Sequence, residues 1–495
     1  MKVRRRVALA ALVSSLALTA TTVAVAQASP DRNTGGRVEN VIYLLGDGMG
    51  RTHVTAARNR YYGASGELNM ERMPVVGQVR TYAVQKRSGQ PGESDFVPEY
   101  VTDSASAATA WASGVKTYNA ALGVDGKGEV VPTVMELAKQ AGYRTGNVST
   151  AEITDATPGS QMIHVLARGC QGPTYSAATC QDTAITGTPL ATTDIRVTPA
   201  ADQIARNGTA DVILGGGLSR FDAADETALR KQGYAVLGSP ASQTVATRSD
   251  LQNADGRKVF GLFNRGNMTI EKFKRENPTA VQTAEPTLPE MTRKSIDLLD
   301  GRARNGRGFY LQVEGALIDK RSHANDAAQA LEEMKAFDDA VAVAVAFAKK
   351  DGHTLVIVTA DHETAGFGIV EQGTLTNPEA VGPPANADAG NTANSSKPAR
   401  TASVKDPTRS TGPVNGSGSG DPRNFAPATF RTVDDPPSVQ DGSPDANLWL
   451  AYLSGNHTGE DVPVFAYGPR SSRLGDSIEN TYLFDVVTDA LRLRR

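Results

Sequence analysis

The feature that most constrains the fold of this chain is a set of short apolar runs that end abruptly in polar residues. Residues 41–45, 309–313 and 355–359 are such runs, and they are followed by Asp47, by Glu314 and by the pair Asp361-His362. The runs are rich in β-branched residues and do not alternate with polar ones, which is typical of strands buried on both faces. The sequence therefore predicts an α/β fold, a three-layer sandwich in which helices flank a large, mostly parallel central sheet.

Helical patterns lie between the predicted strands, at residues 104–113, 134–141, 291–299 and 327–350. The last of these is long and alanine-rich, and it precedes the 355–359 run as a crossover helix should. Residues 371–450 are dense in Pro, Gly, Asn, Ser and Asp, a composition that buries little apolar surface. We therefore predict a catalytic domain over 36–370 and 451–495, interrupted by a surface insertion at 371–450.

The first 28 residues have the composition of a targeting segment. A basic start is followed by an apolar stretch and then by the small-x-small triplet Ala26-Gln27-Ala28, the pattern of a cleaved secretory signal peptide. The alternatives are an uncleaved membrane anchor and a twin-arginine signal at Arg4-Arg5-Arg6. We expect cleavage after Ala28, no stable membrane anchor, and a secreted or periplasmic protein.

Cysteine content and charge agree with export and exclude one class of function. Cys170 and Cys180 are the two cysteines of the chain, and in an oxidising compartment such a pair favours a disulfide over two free thiols. The 51 Lys+Arg residues are slightly outnumbered by 54 Asp+Glu residues, so the totals supply no basic footprint for a nucleic-acid-binding module. A local basic patch remains compatible with these totals.

The polar residues at the strand ends have the chemistry of metal ligands. Asp319 and His323 are four residues apart, which on a helical turn places an oxygen and an imidazole on one face. The chain has six histidines, and three of them, His323, His362 and His457, lie near acidic residues or glycine in the C-terminal half. Such a set suits zinc and could furnish two adjacent ions. His53, His164 and His353 are assigned to structure or surface.

Ser104 is the candidate nucleophile, at the start of the predicted helix 104–113. A serine at such a position often only caps the helix. The functional alternative is that the positive end of the helix favours both a serine alkoxide and an incoming phosphate. No G-x-S-x-G motif surrounds Ser104, so activation by a metal would replace the base of a serine hydrolase triad.

Several of these segments together resemble the alkaline phosphatase family, in the order in which that family has them and over residues 40–490. They are Gly46-Asp47-Gly48-Met49-Gly50, Val101-Thr102-Asp103-Ser104-Ala105, Val313-Glu314-Gly315, Ile318-Asp319-Lys320, Thr359-Ala360-Asp361-His362 and His457-Thr458-Gly459. The resemblance implies hydrolysis of small-molecule phosphate monoesters through a phosphoserine on Ser104, with two Zn2+ and one Mg2+. It also implies a homodimer, whose interface the 371–450 segment could alter.

Carried over position by position, the resemblance assigns a ligand set to each ion. Asp319, His323 and His457 would hold one zinc, and Asp47, Asp361 and His362 the other, with Ser104 completing the second set. Magnesium would use Asp47, Thr157 and Glu314. Arg168 would bind two phosphate oxygens with its planar guanidinium, and Asp155 and Lys320 would lie next to the magnesium ligands, where they favour magnesium over a third zinc.

One position departs from the pattern of many relatives, which have a histidine two residues beyond the Asp-His pair. This chain has Thr364 there and Glu363 before it. The departure puts in doubt how a carboxylate ligand is oriented and how tightly zinc is held. Glu363 is expected to be solvated or to form a local hydrogen bond.

Three other functions compete with a phosphomonoesterase. A sulfatase would need Pro and Arg after its nucleophile, and residues 105–108 contain neither. A phosphodiesterase would need space for a second ester group, on which the sequence is silent. A zinc-stabilised binding protein without activity would have lost a ligand or the nucleophile, and each of these positions is intact.

Overall fold

The computed structural model describes residues 36–300, 307–373 and 428–494. Its strands, in chain order, are β1 (Asn40–Gly46), β2 (Val75–Arg80), β3 (Ala83–Val84), β4 (Pro98–Glu99), β5 (Arg144–Glu152), β6 (Val212–Gly216), β7 (Tyr234–Leu237), β8 (Lys258–Leu262), β9 (Phe309–Gly315), β10 (Thr354–Thr359), β11 (Glu363–Thr364), β12 (Gly368–Val370), β13 (Ala428–Phe430), β14 (Leu448–Ala451), β15 (His457–Thr458), β16 (Val462–Tyr467) and β17 (Ser477–Glu479).

Ten of the described strands form one sheet in the order β17-β2-β16-β10-β1-β9-β5-β6-β8-β7. Neighbours from β10 to β7 pair in parallel, whereas β16 pairs antiparallel with both β10 and β2. Every residue of β1, β9 and β10 is buried. The prediction of a large, mostly parallel sheet from non-alternating apolar runs is therefore confirmed, and the reason is that both faces of these strands are covered.

Helices cover the two faces of the sheet. The described α-helices are Arg51–Tyr62, Ser104–Ser113, Val134–Gln140, Ala156–Gly159, Ala177–Cys180, Thr183–Thr186, Ala200–Asn207, Ala223–Lys231, Arg248–Asn253, Glu271–Glu276, Leu288–Leu299, Leu317–His323, Ala327–Asp351 and Asn480–Leu491. On β9, Phe309 meets Phe347 of the long helix Ala327–Asp351, while Gln312 meets Trp111 of Ser104–Ser113. Because alternate side chains of a strand point to opposite faces, these two helices flank the sheet on opposite sides.

The strand order brings the predicted site residues together. The four strands β10, β1, β9 and β5 are consecutive neighbours and run parallel. Asp361-His362, Asp47, Glu314 with Asp319, and Asp155 with Thr157 lie at or just beyond their carboxyl ends. Ligands of open α/β sheets bind at this edge.

Part of the predicted insertion forms buried strands, although its composition predicts that it buries little apolar surface. Residues 374–427 lie outside the described residues, but β14 pairs antiparallel with both β12 and β13 in a three-stranded sheet. Phe430, Leu448 and Leu450 are buried there, and β14 contacts the helix Arg51–Tyr62. The few apolar residues of this region are spaced two apart, so a short strand buries them although the average composition is polar.

The expectations that bear on export have mixed outcomes. Cys170 and Cys180 form the expected disulfide. The predicted signal peptide, residues 1–28, lies outside the described residues. Among the helices that the structure describes, none combines the length and the apolar composition that crossing a bilayer requires.

We predict that Phe337 is a main support of the strand ends that carry the site. The side chain is fully buried, and its ring packs on the glycines that end β1 and β9: a Cβ added to Gly315 would lie 2.9 Å from the ring. Phe337→Ala should lower the free energy of unfolding by about 3–5 kcal/mol, measured in urea on metal-loaded protein. Phe347→Ala on the same helix, where the ring is half-buried, is the control and should cost less. Equal losses would contradict the prediction.

Candidate active site

Six of the predicted ligands form two groups that could each hold a metal ion. One consists of Asp319, His323 and His457 and the other of Asp47, Asp361 and His362, and the ligand atoms within each group lie within 4.8 Å of one another. These are the same two sets that the resemblance assigns to zinc. Among the described residues no other cluster of His, Cys, Asp and Glu was found to qualify as a metal-binding group.

The first group is assembled by a helix and a two-residue ladder. Asp319 and His323 lie one turn apart on Leu317–His323, with Asp319 Oδ1 3.3 Å from His323 Nε2. His457 lies on β15, whose partner β11 places it opposite Thr364. The two Nε2 atoms of His323 and His457 are 3.1 Å apart.

The tautomers of these two histidines point to a cation between them. His323 Nδ1 lies 2.6 Å from the carbonyl of Gly455, and His457 Nδ1 lies 3.0 Å from that of Thr102. A carbonyl only accepts, so both Nδ1 atoms carry the proton. Burial, with the nearby His362, lowers the pKa of His457 to about 4, whereas Asp319 outweighs burial and raises the pKa of His323. When both rings are neutral, the two Nε2 lone pairs face each other, an arrangement that a shared metal ion stabilises.

The second group consists of buried side chains with unused ligand atoms. Asp361 Oδ1 accepts from the backbone N–H groups of Gly48 and His362. Asp361 Oδ2 lies 3.0 Å from His362 Nε2 but not in hydrogen-bond geometry, and Asp47 Oδ1 likewise has no hydrogen-bond partner. Burial, followed by the charges of Asp361 and Asp319, raises the pKa of Asp47 well above its ordinary value. Unpartnered buried carboxylates of this kind fit a metal ion.

Ser104 is the first residue of its helix and lies against the second group. The N-cap is Asp103, whose carboxylate accepts from Ser106 N at 2.9 Å. The capping role considered for Ser104 therefore belongs to its neighbour. The Ser104 side chain is buried, and its Oγ lies 3.1 Å from His362 Nε2. The hydroxyl thus faces the ligand atoms at the positive end of the helix.

Arg168 and Lys320 are held by shared carboxylates beside the two groups. Arg168 donates to Asp155 at 2.7 Å and to Asp103 at 3.2 Å, and Lys320 Nζ lies 2.8 Å from the other oxygen of Asp155. Burial alone would raise the pKa of Asp155, but the charges of Lys320 and Arg168 outweigh it and hold the pKa below its ordinary value. The Arg168 side chain is about one-third exposed, so the guanidinium is oriented while part of the side chain remains open to solvent.

The residues assigned to magnesium also converge. Asp155 caps the short helix Ala156–Gly159, which carries Thr157. Burial raises the pKa of Glu314 to about 7, although the hydrogen bond from the Ser149 hydroxyl lowers it. The buried Thr157 hydroxyl has no hydrogen-bond partner. Glu314 in turn contributes to the raised pKa of Asp47. Oxygen donors alone make up this set, as magnesium prefers.

Thr364 contacts one ligand from each metal-capable group. Its hydroxyl donates to Asp319 Oδ1 and lies 3.4 Å from His362 Nδ1. Gly48 is packed against it: Gly48 has φ +71°, and a Cβ there would lie 2.6 Å from Thr364 Oγ1. Thr364 therefore donates a hydrogen bond to Asp319, the carboxylate of the first metal-capable group.

Two neighbouring residues, Ser149 and Asp103, gain roles that the sequence did not assign to them, and a third, Glu363, has one of its two expected roles. Ser149 on β5 lies opposite Glu314 in the strand register and donates to its carboxylate. Asp103 orients Arg168, and an acidic residue directly before a helix was the available signal for its capping role. Glu363 is fully buried and forms hydrogen bonds with Gly366 N, Phe367 N and the Thr458 hydroxyl. The local hydrogen bond expected of Glu363 exists, whereas solvation does not.

The remaining histidines lie outside both metal-capable groups. His53 Nε2 contacts the Ser322 hydroxyl and its ring stacks on Phe367. His164 bridges the Gly123 carbonyl and Glu136, and His353 is exposed. These positions agree with the structural and surface roles expected from the sequence.

We predict that the Thr364 hydroxyl tightens zinc binding. Thr364→Val keeps the shape but removes the hydrogen bond to Asp319, so zinc affinity should fall about 10- to 100-fold. The measurement is zinc transfer to a chromogenic chelator, and Thr364→Ser, which retains the hydroxyl, is the matched control. If valine and serine variants release zinc alike, the hydroxyl has no such role.

Comparison with known proteins places this site in a family. The alkaline phosphatase family model matches residues 38–493. The alkaline phosphatase of Escherichia fergusonii is 42% identical over 66% of this chain and 70% of its own. The streptomycin-6-phosphate phosphatase of Streptomyces griseus is 34% identical over 98% of this chain and 97% of its own. A variant of the alkaline phosphatase of the Antarctic bacterium TAB5, solved with magnesium bound, superposes with a TM-score of 0.60 at 26% identity, covering 93% of this chain and 99% of that one. The chain belongs to the alkaline phosphatase family of metal-dependent phosphomonoesterases.

Proposed function

We propose that this protein hydrolyses phosphate monoesters through a phosphoserine intermediate on Ser104 and releases inorganic phosphate. The observation that carries the proposal is the position of the Ser104 hydroxyl. It is buried, relieved of helix capping by Asp103, and 3.1 Å from His362 Nε2 in one of two adjacent metal-capable groups.

Two zinc ions and one magnesium ion fit the donor sets. The groups Asp319, His323, His457 and Asp47, Asp361, His362 mix imidazole and carboxylate ligands, which suits zinc. Asp47, Thr157 and Glu314 offer oxygen alone, which suits magnesium, and the related TAB5 variant holds magnesium. When bound, zinc would lower the pKa of the serine hydroxyl and stabilise the leaving oxygen.

The residues of the chain account for the two displacements. Ser104 Oγ forms a bond to phosphorus as the bond from phosphorus to the ester oxygen breaks, and the alcohol leaves. Water then attacks phosphorus from the vacated side and the bond to Ser104 breaks, so the two inversions give net retention. The positive end of the helix Ser104–Ser113 faces the charge on the phosphoryl group throughout.

Arg168 would bind the phosphoryl oxygens. Its contacts with Asp155 and Asp103 fix the plane of the guanidinium, and a fixed plane allows paired hydrogen bonds to an anion. Lys320 neutralises the other oxygen of Asp155, which leaves Arg168 with more of its charge for the substrate. Electrostatic positioning of this kind is the main contribution of proteins to phosphoryl transfer.

We also propose that the protein acts after export, following removal of residues 1–28. The disulfide between Cys170 and Cys180 supports an oxidising compartment. It also lies directly after the Arg168-Gly169 segment, so it anchors the loop that carries the phosphate-binding arginine. The proposed homodimer and the division into a catalytic domain with an insertion at 371–450 stay predictions from the sequence.

We predict that Ser104→Ala abolishes turnover without removing the metals. The rate constant for p-nitrophenyl phosphate hydrolysis should fall by about 1,000-fold or more, because the nucleophile is lost while the ligands remain. Zinc and magnesium content, measured by mass spectrometry, should not change. Ser113→Ala at the other end of the same helix is the control and should keep activity. Full activity in Ser104→Ala would overturn the assignment.

We predict that activity depends on metals and favours monoesters. Hydrolysis of p-nitrophenyl phosphate at alkaline pH should be lost on chelation and should return when zinc and magnesium are restored. Bis-p-nitrophenyl phosphate should react much more slowly under the same conditions. Preference for the diester would indicate a phosphodiesterase, and a lack of turnover with metals bound would favour the binding protein.

A further inference from the structure

A cavity lies at the amino ends of three central strands, β1, β5 and β9, opposite their carboxyl ends. It has a volume of about 690 Å³ and is lined in part by Glu39, Tyr143 and Gly308. These residues come directly before β1, before β5 and before β9. The proposed metal ligands follow the other ends of the same strands, and a seven-residue strand spans roughly 20 Å. The cavity is therefore separate from the proposed active site.

The described lining of this cavity is strongly basic in a chain whose total charge is slightly negative. Four arginines line it, Arg37, Arg307, Arg492 and Arg494, against the single carboxylate of Glu39. Arg37 Nε lies 3.8 Å from that carboxylate, too far for a direct hydrogen bond. The ion pairs found among the described residues include none formed by the other three arginines.

One of these arginines, Arg307, is fixed against the wall of the cavity. Arg307 donates to the Ala141 carbonyl and lies over the Tyr143 ring, 5.9 Å from its centroid. Tyr143 is itself fixed by a 2.8 Å hydrogen bond from its hydroxyl to the Leu491 carbonyl. Burial raises the pKa of Tyr143, and the charges of Arg307, Arg37 and Arg492 oppose that rise. Three cationic groups are thus within electrostatic reach of one phenol.

We propose that this cavity binds a small polyanion that carries several phosphate groups. Arginine matches phosphate oxygens with paired, charge-assisted hydrogen bonds. The volume lies within the range of small-molecule sites, about 300–1,000 Å³, and exceeds what one phosphate ion needs. Val38, Leu137 and Leu491 give the wall an apolar part against which the uncharged portion of such a ligand packs. The proposal concerns a site beyond the phosphatase centre and does not depend on the reaction there.

The test is isothermal titration calorimetry of the metal-loaded enzyme with cyclic trimetaphosphate. This probe carries three charges and has no terminal phosphate ester for the active site to hydrolyse. We expect one molecule to bind per chain at 0.1 M salt, and the double variant Arg307→Ala, Arg492→Ala to weaken binding at least tenfold. Arg72→Ala, an exposed arginine paired only loosely with Glu67, is the matched control and should bind as the wild type does.

Three results would overturn the proposal: no binding to the wild type, unchanged binding to the double variant, or binding that is lost in Arg168→Ala. The last would place the probe in the phosphatase centre. Turnover of p-nitrophenyl phosphate should be unchanged in the double variant, which separates this test from that of the proposed function. If the double variant does not fold, the exposed charge reversal Arg492→Glu takes its place, with the same tenfold loss expected.

Discussion

The burial of several carboxylates side by side is the constraint on which this structure depends. Asp47, Glu314, Asp319 and Asp361 are at most 5% exposed and lie at the ends of adjacent strands. Burial first and neighbouring carboxylates second raise the pKa values of Asp47 and Glu314, whereas nearby histidines outweigh burial and lower the pKa values of Asp319 and Asp361. Ionisation of Asp47 and Glu314 without a cation is therefore unfavourable. Bound divalent ions would offset this cost, so metal binding would also stabilise the fold.

The cations that the chain itself supplies are kept apart from these carboxylates. Lys320 and Arg168 are directed to Asp155, whose pKa they lower. A lysine or arginine paired directly with Asp47 or Asp361 would compete with metal for the same oxygens. Asp155 therefore holds the positive side chains beside the metal-capable groups, in the position proposed above for binding a phosphoryl group.

The sequence predicts those features of the fold and the site that depend on neighbouring residues, and it misses those that depend on tertiary contacts. The buried strands and the residues that end them could be read from the apolar runs, and Asp319 and His323 from helical spacing. The hydrogen bond from Ser149 to Glu314 depends on β5 lying beside β9. The position of Thr364 next to Asp319 depends on tertiary packing, since Gly48 contacts both residues. The strands buried in residues 428–451 were missed because composition averages over a long polar segment, whereas burial requires only a few apolar residues at the right spacing.

The ladder of β11 and β15 joins two segments that are far apart in sequence. It holds His457 opposite Thr364, although 92 positions separate the two in sequence and Glu363 and Thr458 join the same ladder by their side chains. Lengthening a loop adds little to its closure entropy, about 0.6 kcal/mol for each doubling. The long separation in sequence therefore costs the ladder little, and the ladder itself keeps His457 in register beside the other two members of its metal-capable group, Asp319 and His323.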